Sequence, residues 1–184
     1  MYAFPFGIGR DDSVTNIHVA KNGHSSGLLS TYAPGLSELI GTEDGASWDW
    51  RKEVKTTKSI PIHVVTLETI IELLPFAEVD YLKIDSQGFD LEVFRSAGKY
   101  RQNIRRVKLE AKAEGTKGFY DGQPAPSEII AEMLAHGFKH TASRKSCCKE
   151  KLMEVDMVFD NLSKPASSND EDFSKDDTFL PTYP

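Results

Sequence analysis

Strand-like and helix-like segments alternate through the middle of the chain. Four segments are rich in β-branched and aliphatic residues, and three segments between them have apolar residues at helical spacing. The strand segments are residues 61–65, 79–85, 105–113 and 152–159, and the helical segments are residues 66–74, 89–97 and 126–138. Because this alternation is typical of βαβ units, we predict an α/β fold with a parallel sheet and helices on both of its faces.

Two details refine this prediction. The last strand follows a long basic loop, KHTASRKSCCKEK (residues 139–151), which predicts a closing antiparallel hairpin. In the third helical segment, Ser127 is the predicted N-cap and Gly137 the predicted stop.

The composition limits the classes of protein and partner. The 184 residues carry a formal net charge of -6, which argues against nucleic acid as the main partner. No apolar run approaches the ~20 residues that span a bilayer, and the start of the chain lacks the pattern of a signal peptide. We therefore predict a cytoplasmic protein without a membrane span. The two cysteines, Cys147 and Cys148, are adjacent and cannot form a disulfide framework, and no metal site is predicted.

The last 22 residues differ in composition from the rest of the chain. Residues 163–184 contain five acidic side chains against two lysines and few aliphatic residues. A segment of this composition buries too little apolar surface to offset its chain entropy. We predict one folded domain over residues 1–162 and a disordered acidic tail over residues 163–184.

The segment GHSSG (residues 23–27) matches the G-x-S-x-G pattern of a nucleophile elbow. A serine hydrolase would use Ser25 as the nucleophile, with Asp85 and either His136 or His140 completing a triad. The elbow requires a buried strand directly before its first glycine, and here the two preceding residues are lysine and asparagine. With 28 acidic residues and 5 histidines in the chain, such a set also arises by chance. The hydrolase remains the less favoured hypothesis.

The segment VDYLKIDSQGFDLEVFRSAGKY (residues 79–100) holds the most specific pattern. A buried strand ends at Asp85, a tight turn follows, and a helix begins with acids in its first turn. Ligands of open α/β sheets bind beyond the carboxyl ends of the strands, where Asp85 lies. Gly88 allows the sharp turn. A role for Asp85 as a helix-capping acid or an ion-pair partner stays open from its position alone.

Several segments in this order resemble the FkbM-type S-adenosylmethionine-dependent methyltransferases. The resemblance spans about residues 10–160. It rests on HSSGLLS (24–30), TLE (66–68), KIDSQGFDLEV (83–93), VKLE (107–110), MLAHGF (133–138) and EVDMVF (154–159). On this interpretation the G-x-S-x-G match is a coincidence, in which two glycines flank a Ser-Ser segment that the family often has.

The resemblance implies a fold, an activity and a set of site residues. The expected fold is a Rossmann-like methyltransferase sheet. The expected enzyme activity is methyl transfer from S-adenosylmethionine to a hydroxyl group of a sugar, a lipid or a natural product. Asp85, Ser86 and Gln87 would line the cofactor site, and Asp85 and Glu110 would be the catalytic residues, as acceptors of the hydroxyl proton.

One part of the family pattern has no counterpart in the sequence. The family begins with a strand and a glycine-rich turn that hold the cofactor, followed by a strand whose acid binds the ribose. Gly7 and Gly9 are followed by Arg-Asp-Asp rather than by a helix. We therefore expect an N-terminally incomplete sheet with an exposed strand edge. The alternatives left open are a non-catalytic remnant or binding module, and a partner subunit that completes the sheet.

Overall fold

The computed structural model describes residues 4–31, 40–43, 46–76, 78–145, 154–164 and 179–180. The strands are Gly7–Ile8 (β1), Ser13–Ala20 (β2), Ile40–Glu43 (β3), Ala46–Asp49 (β4), Thr56–Val65 (β5), Val79–Lys83 (β6), Ile104–Lys112 (β7), Phe138–Lys145 (β8), Glu154–Asn161 (β9) and Phe179–Leu180 (β10). The α-helices are Trp50–Glu53 (α1), Leu67–Leu73 (α2), Asp90–Arg95 (α3) and Pro126–Ala135 (α4), and Gly98–Asn103 is a 3-10 helix.

The strands form two mixed sheets and a hairpin. The larger sheet has the order β10-β8-β9-β7-β6, in which β6 and β7 are parallel and the other neighbours are antiparallel. The smaller sheet has the order β1-β5-β2, and β3 pairs with β4. The α/β class is confirmed, but the larger sheet is mixed rather than parallel. The reason is that β9 turns back in a hairpin and inserts between β7 and β8.

The predicted antiparallel hairpin is confirmed, although it begins earlier than expected. The first half of the predicted basic loop is strand β8, whose Phe138 lies opposite Asn161 and whose Arg144 lies opposite Asp156. The polar side chains of β8 resemble a loop in sequence, but its backbone bonds to β9 make it a strand. The two cysteines lie outside the described residues.

The core lies on one face of the larger sheet. The inward side chains of β7 and β9 alternate along each strand, with Val107 opposite Phe159 and Leu109 opposite Met157. Helices α2, α3 and α4 all contribute to this single apolar cluster. The opposite face carries cross-strand ion pairs, such as Lys108 to Asp156 at 2.7 Å. We predicted helices on both faces of this sheet, but in the described part of the chain the helices cover one face only.

Local signals explain where the helices begin and end. The Thr66 hydroxyl oxygen accepts a hydrogen bond from Thr69 N at 3.0 Å, as expected for the N-cap of α2. The predicted N-cap Ser127 of α4 is wrong, since Pro126 already occupies the first helical turn. Gly137, with φ +81°, ends α4 as predicted.

The terminal segment is described at only a few positions. Of residues 163–184, the structure describes 163, 164, 179 and 180, and Phe179 and Leu180 pair with Arg144 and Ser143 of β8. The rest of the predicted acidic tail lies outside the described residues. Within the described residues, no helix combines the length and apolar character that crossing a bilayer requires.

Candidate functional site

The candidate site is built on the turn that follows β6. Ile84 N donates to Lys108 O at 2.8 Å and keeps the end of β6 beside β7. The chain then reverses through Gln87 and Gly88, whose φ angles are +57° and +87°. Gln87 is the one non-glycine residue with positive φ in the described part of the chain. Such a conformation is rare for a side chain of this size and persists only where surrounding contacts hold it.

Asp90 connects this turn to the neighbouring strand. Its Oδ1 accepts hydrogen bonds from Ser86 N at 2.9 Å and from Ser86 Oγ at 2.7 Å, and its Oδ2 accepts from Glu110 N at 2.7 Å. The residue is 1% exposed. Burial raises the pKa of Asp90, although the bonds from Ser86 and Glu110 oppose that rise. Asp90 therefore brings the predicted site residues Ser86 and Glu110 together.

Asp85 lies between the end of β6 and the turn, and its side chain is 48% exposed. Its Oδ2 accepts from Lys83 Nζ at 2.8 Å and its Oδ1 accepts from Gln87 Nε2 at 2.9 Å. Partial burial acts to raise the pKa of Asp85, but the bond and charge of Lys83, the Gln87 amide and the charge of Lys108 together hold it below its usual value. The ion-pair role left open by the sequence is thus present, in a carboxylate that solvent also reaches.

Tyr120 belongs to the site although no sequence signal pointed to it. Its hydroxyl donates to Gln87 Oε1, and its ring packs against the turn. A Cβ atom at Gly88 would lie 2.9 Å from Tyr120 Cβ and 3.0 Å from Cδ2. Only glycine fits at this position, because the aromatic side chain fills the space that any other residue would need.

The GHSSG segment also lies against this turn, through its backbone. The Tyr120 hydroxyl oxygen lies 3.4 Å from Ser25 O, and a Cβ atom at Gly27 would lie 3.0 Å from Gln87 Cβ. The Ser25 Oγ accepts instead from Asn22 Nδ2 at 3.0 Å. The segment that was interpreted as a chance motif therefore forms one wall of the candidate site.

The hydrolase hypothesis finds no triad in the residues that the structure describes. No histidine there is hydrogen-bonded to Ser25 or to Asp85. His136 Nε2 instead lies 3.0 Å from Arg101 Nη1, and His140 Nε2 lies 2.8 Å from Ser143 Oγ. Among the described residues, neither histidine of the proposed triad therefore bonds to Ser25 or Asp85.

A second buried acid lies near Glu110. Lys112 of β7 pairs with Glu154 of β9, so Glu110 and Glu154 are diagonal neighbours on the same sheet face. Glu154 is 8% exposed, and its Oε1 accepts from Gln123 Nε2 at 2.9 Å. Burial, together with the negative charges of Glu110, Asp90 and Asp85, raises the pKa of Glu154 well above its usual value. This end of the sheet therefore has an excess of carboxylates.

A cavity of about 370 Å³ borders the turn at Gly88 and is not lined by the predicted site residues. Its wall includes Gly88 and side chains from the N-terminal segment, α3, the loop before α4 and α4 itself: Arg10, Leu29, Phe89, Glu92, Asp121 and Glu128. Asp85, Ser86, Gln87 and Glu110 do not line it. The structure describes no group of three or more side chains suited to bind a metal ion.

Comparison with known proteins gives one family. The family model described as the methyltransferase FkbM domain matches residues 3–140, which is more than half of the chain. The chain belongs to the FkbM methyltransferase family. The match includes the turn after β6, Glu110 and Tyr120, and it ends before Glu154. No curated protein and no solved structure matches the chain.

Proposed function

We propose that this FkbM-family protein transfers a methyl group from S-adenosylmethionine to a hydroxyl group of a sugar, a lipid or a natural product. The family match over residues 3–140 is the observation that carries this proposal. The arrangement of β6 and β7 supports it, since these parallel strands end beside Asp85 and Glu110 as strands of a Rossmann-like sheet do.

The charge of the site suits the cationic part of the cofactor. S-adenosylmethionine is positively charged at its sulfonium and amino groups, and four acidic side chains lie at this end of the sheet: Asp85, Asp90, Glu110 and Glu154. Of these, Asp90 and Glu154 are buried and have raised pKa values. Among the four, Asp85 is half exposed and would hold the cation. The polar groups of Ser86 and Gln87 already bond to Asp90, Asp85 and Tyr120, so these residues would shape the cofactor wall. The bound cofactor supplies a methyl group that is already activated.

The residues of the chain would then orient the acceptor. Most of the rate of such a transfer comes from alignment of the hydroxyl with the methyl group. Because its pKa lies below the usual value, Asp85 is ionised at neutral pH and can accept a hydrogen bond from the acceptor hydroxyl. Glu110 lies in the neighbouring strand β7, two residues before its last residue Lys112, and is the second candidate for the proton acceptor.

A partner subunit that completes the sheet is part of this proposal. Among the described residues, β6 has a hydrogen-bonded neighbour strand, β7, on one side only. A further strand added along Val79–Lys83 would cover this edge and bring additional groups toward Asp85. The alternative function is a binding module of the same fold that does not catalyse methyl transfer.

Calorimetric titration with S-adenosylmethionine, whose sulfonium charge S-adenosylhomocysteine lacks, tests the proposal. We expect micromolar binding to the purified 184-residue chain, and about tenfold weaker binding by Asp85→Asn, which corresponds to ~1.4 kcal/mol. Asp121→Asn is the matched control, because this residue lines a cavity that Asp85, Ser86, Gln87 and Glu110 do not line.

The outcomes separate the two functions. Binding that Asp85→Asn weakens and Asp121→Asn leaves unchanged would support methyl transfer at this site. A cooperatively folded chain that does not bind would contradict catalysis by this polypeptide alone and favour the binding module.

A further inference from the structure

We propose that Tyr120 is a positioning residue, which holds the Gln87 amide in the orientation that donates a hydrogen bond to Asp85. The inference rests on the proposed function only in one respect, namely that Asp85 binds the cofactor and the acceptor hydroxyl. The contacts themselves form one continuous path, in which the Tyr120 hydroxyl donates to Gln87 Oε1 and Gln87 Nε2 donates to Asp85 Oδ1 at 2.9 Å.

The chemistry of an amide explains why this path has a direction. The Gln87 side chain has an acceptor oxygen at one side and a donor nitrogen at the other. With Tyr120 bonded to the oxygen, the nitrogen is directed toward the Asp85 carboxylate. A flipped amide would place its oxygen against that carboxylate, so that two acceptors would face each other. The Asp85 carboxylate, which only accepts, selects the orientation with Nε2 toward it, and the Tyr120 hydroxyl stabilises that orientation by donating its one proton to Gln87 Oε1.

The surroundings of Gln87 leave this side chain little freedom. Its backbone has φ +57°, and a Cβ atom at Gly27 would lie 3.0 Å from the Gln87 Cβ. Tyr120 is 2% exposed and packs on the turn next to it. Backbone conformations of this kind cost free energy and are kept where neighbouring contacts over-determine them. The Tyr120 ring and the Gly27 backbone supply those contacts.

The Tyr120 hydroxyl keeps its proton at all physiological pH values. Burial, and then the negative charge of Glu154, raise the pKa of Tyr120 above the usual value of a tyrosine. The contact to Gln87 therefore has a constant donor. Asp85 receives its other stabilisation from Lys83 on β6 and Lys108 on β7, while partial burial opposes its ionisation. Of the three groups that stabilise the Asp85 carboxylate, Tyr120 orients the uncharged one, the Gln87 amide.

A carboxyl NMR titration of Asp85 in the cofactor-free protein tests the proposal. In Tyr120→Phe the ring still fills the space beside Gly88, so the fold is retained while the hydroxyl is lost. We expect the pKa of Asp85 to rise toward its usual value, because a hydrogen bond to the ionised form lowers a carboxyl pKa. Gln87→Asn shortens the side chain, tolerates the positive φ and should cause the same rise.

The double variant and a control complete the experiment. If Tyr120 acts through Gln87, Tyr120→Phe causes no further rise in the Gln87→Asn background. Tyr100→Phe removes a hydroxyl that lies 3.4 Å from Glu72 and should leave the Asp85 titration unchanged. An unchanged Asp85 pKa in Tyr120→Phe, or additive rises in the double variant, would overturn the proposal. Since no cofactor is present, failure here is distinguishable from failure of the proposed function.

Discussion

At the scale of single residues, the turn after β6 depends on a contact between a glycine and an aromatic ring. Gly88 combines φ +87° with a Cβ position that Tyr120 already occupies. Gly122 has a similar φ of +79°, but nothing lies within 4 Å of its Cβ position. The two glycines therefore separate the cost of the backbone conformation from the cost of the crowded site.

We expect Gly122→Ala to reduce the free energy of unfolding by about 1–2 kcal/mol, which is the cost of a left-handed conformation. Gly88→Ala should lose this amount and about 1–3 kcal/mol more, because the added methyl group displaces Tyr120. Urea denaturation of both variants measures the difference. Equal losses in the two variants would show that the ring does not restrict the turn.

At the scale of elements, Asp90 is the residue that joins α3 to β7. Three donor groups point at its carboxylate, namely Ser86 N, Ser86 Oγ and Glu110 N. An amide at this position has only one acceptor oxygen. The junction of helix, turn and strand therefore requires a carboxylate rather than an isosteric neutral group.

Asp90→Asn should reduce the free energy of unfolding by about 1–3 kcal/mol, since at least one buried N–H group would face an NH₂ group. The exposed Asp121 is the control, and its change to asparagine should stay within about 0.5 kcal/mol. Chemical denaturation at neutral pH gives both values. A higher free energy of unfolding for Asp90→Asn would mean that burying the Asp90 charge destabilises the fold by more than its three hydrogen bonds stabilise it.

At the scale of the whole molecule, one buried acid links global stability to pH. The pKa of Glu154 in the folded state lies well above the value of 4.5 for a free glutamate. A raised pKa means that folding favours the protonated form. The contribution of protonated Glu154 to the free energy of unfolding is complete below pH 4.5. It is lost as the pH rises through the folded-state pKa of Glu154. The facing acids Glu110, Asp90 and Asp85 increase this loss.

Glu154→Gln should remove this pH dependence, because the amide oxygen still accepts the bond from Gln123 and carries no charge. Above pH 4.5 the variant should gain on the wild type by ~1.4 kcal/mol per pH unit, until the folded-state pKa of Glu154 is reached. Urea denaturation between pH 4.5 and 8 measures the gap, with Glu114→Gln at an exposed site as the control. Parallel curves for wild type and Glu154→Gln would refute the assignment.

The sequence determined the features that depend on neighbours along the chain. Helical spacing and a threonine cap identified α2, β-branched composition identified β5 and β6, and the turn at Asp85 came from a strand followed by glycine and a helix. The motif order also predicted the family that the match over residues 3–140 confirms. These features are local, because side-chain periodicity and backbone preference act within a few residues.

Only the tertiary structure decided which distant residues meet. It inserted β9 between β7 and β8, brought the helices to one face of the larger sheet, and placed Tyr120 and Gly27 on the turn that holds Gln87. Each of these contacts joins segments that lie far apart in sequence, and no local sequence pattern in either segment predicts the other. They are selected by strand register and by burial of the shared core, which exist only once the whole chain has folded.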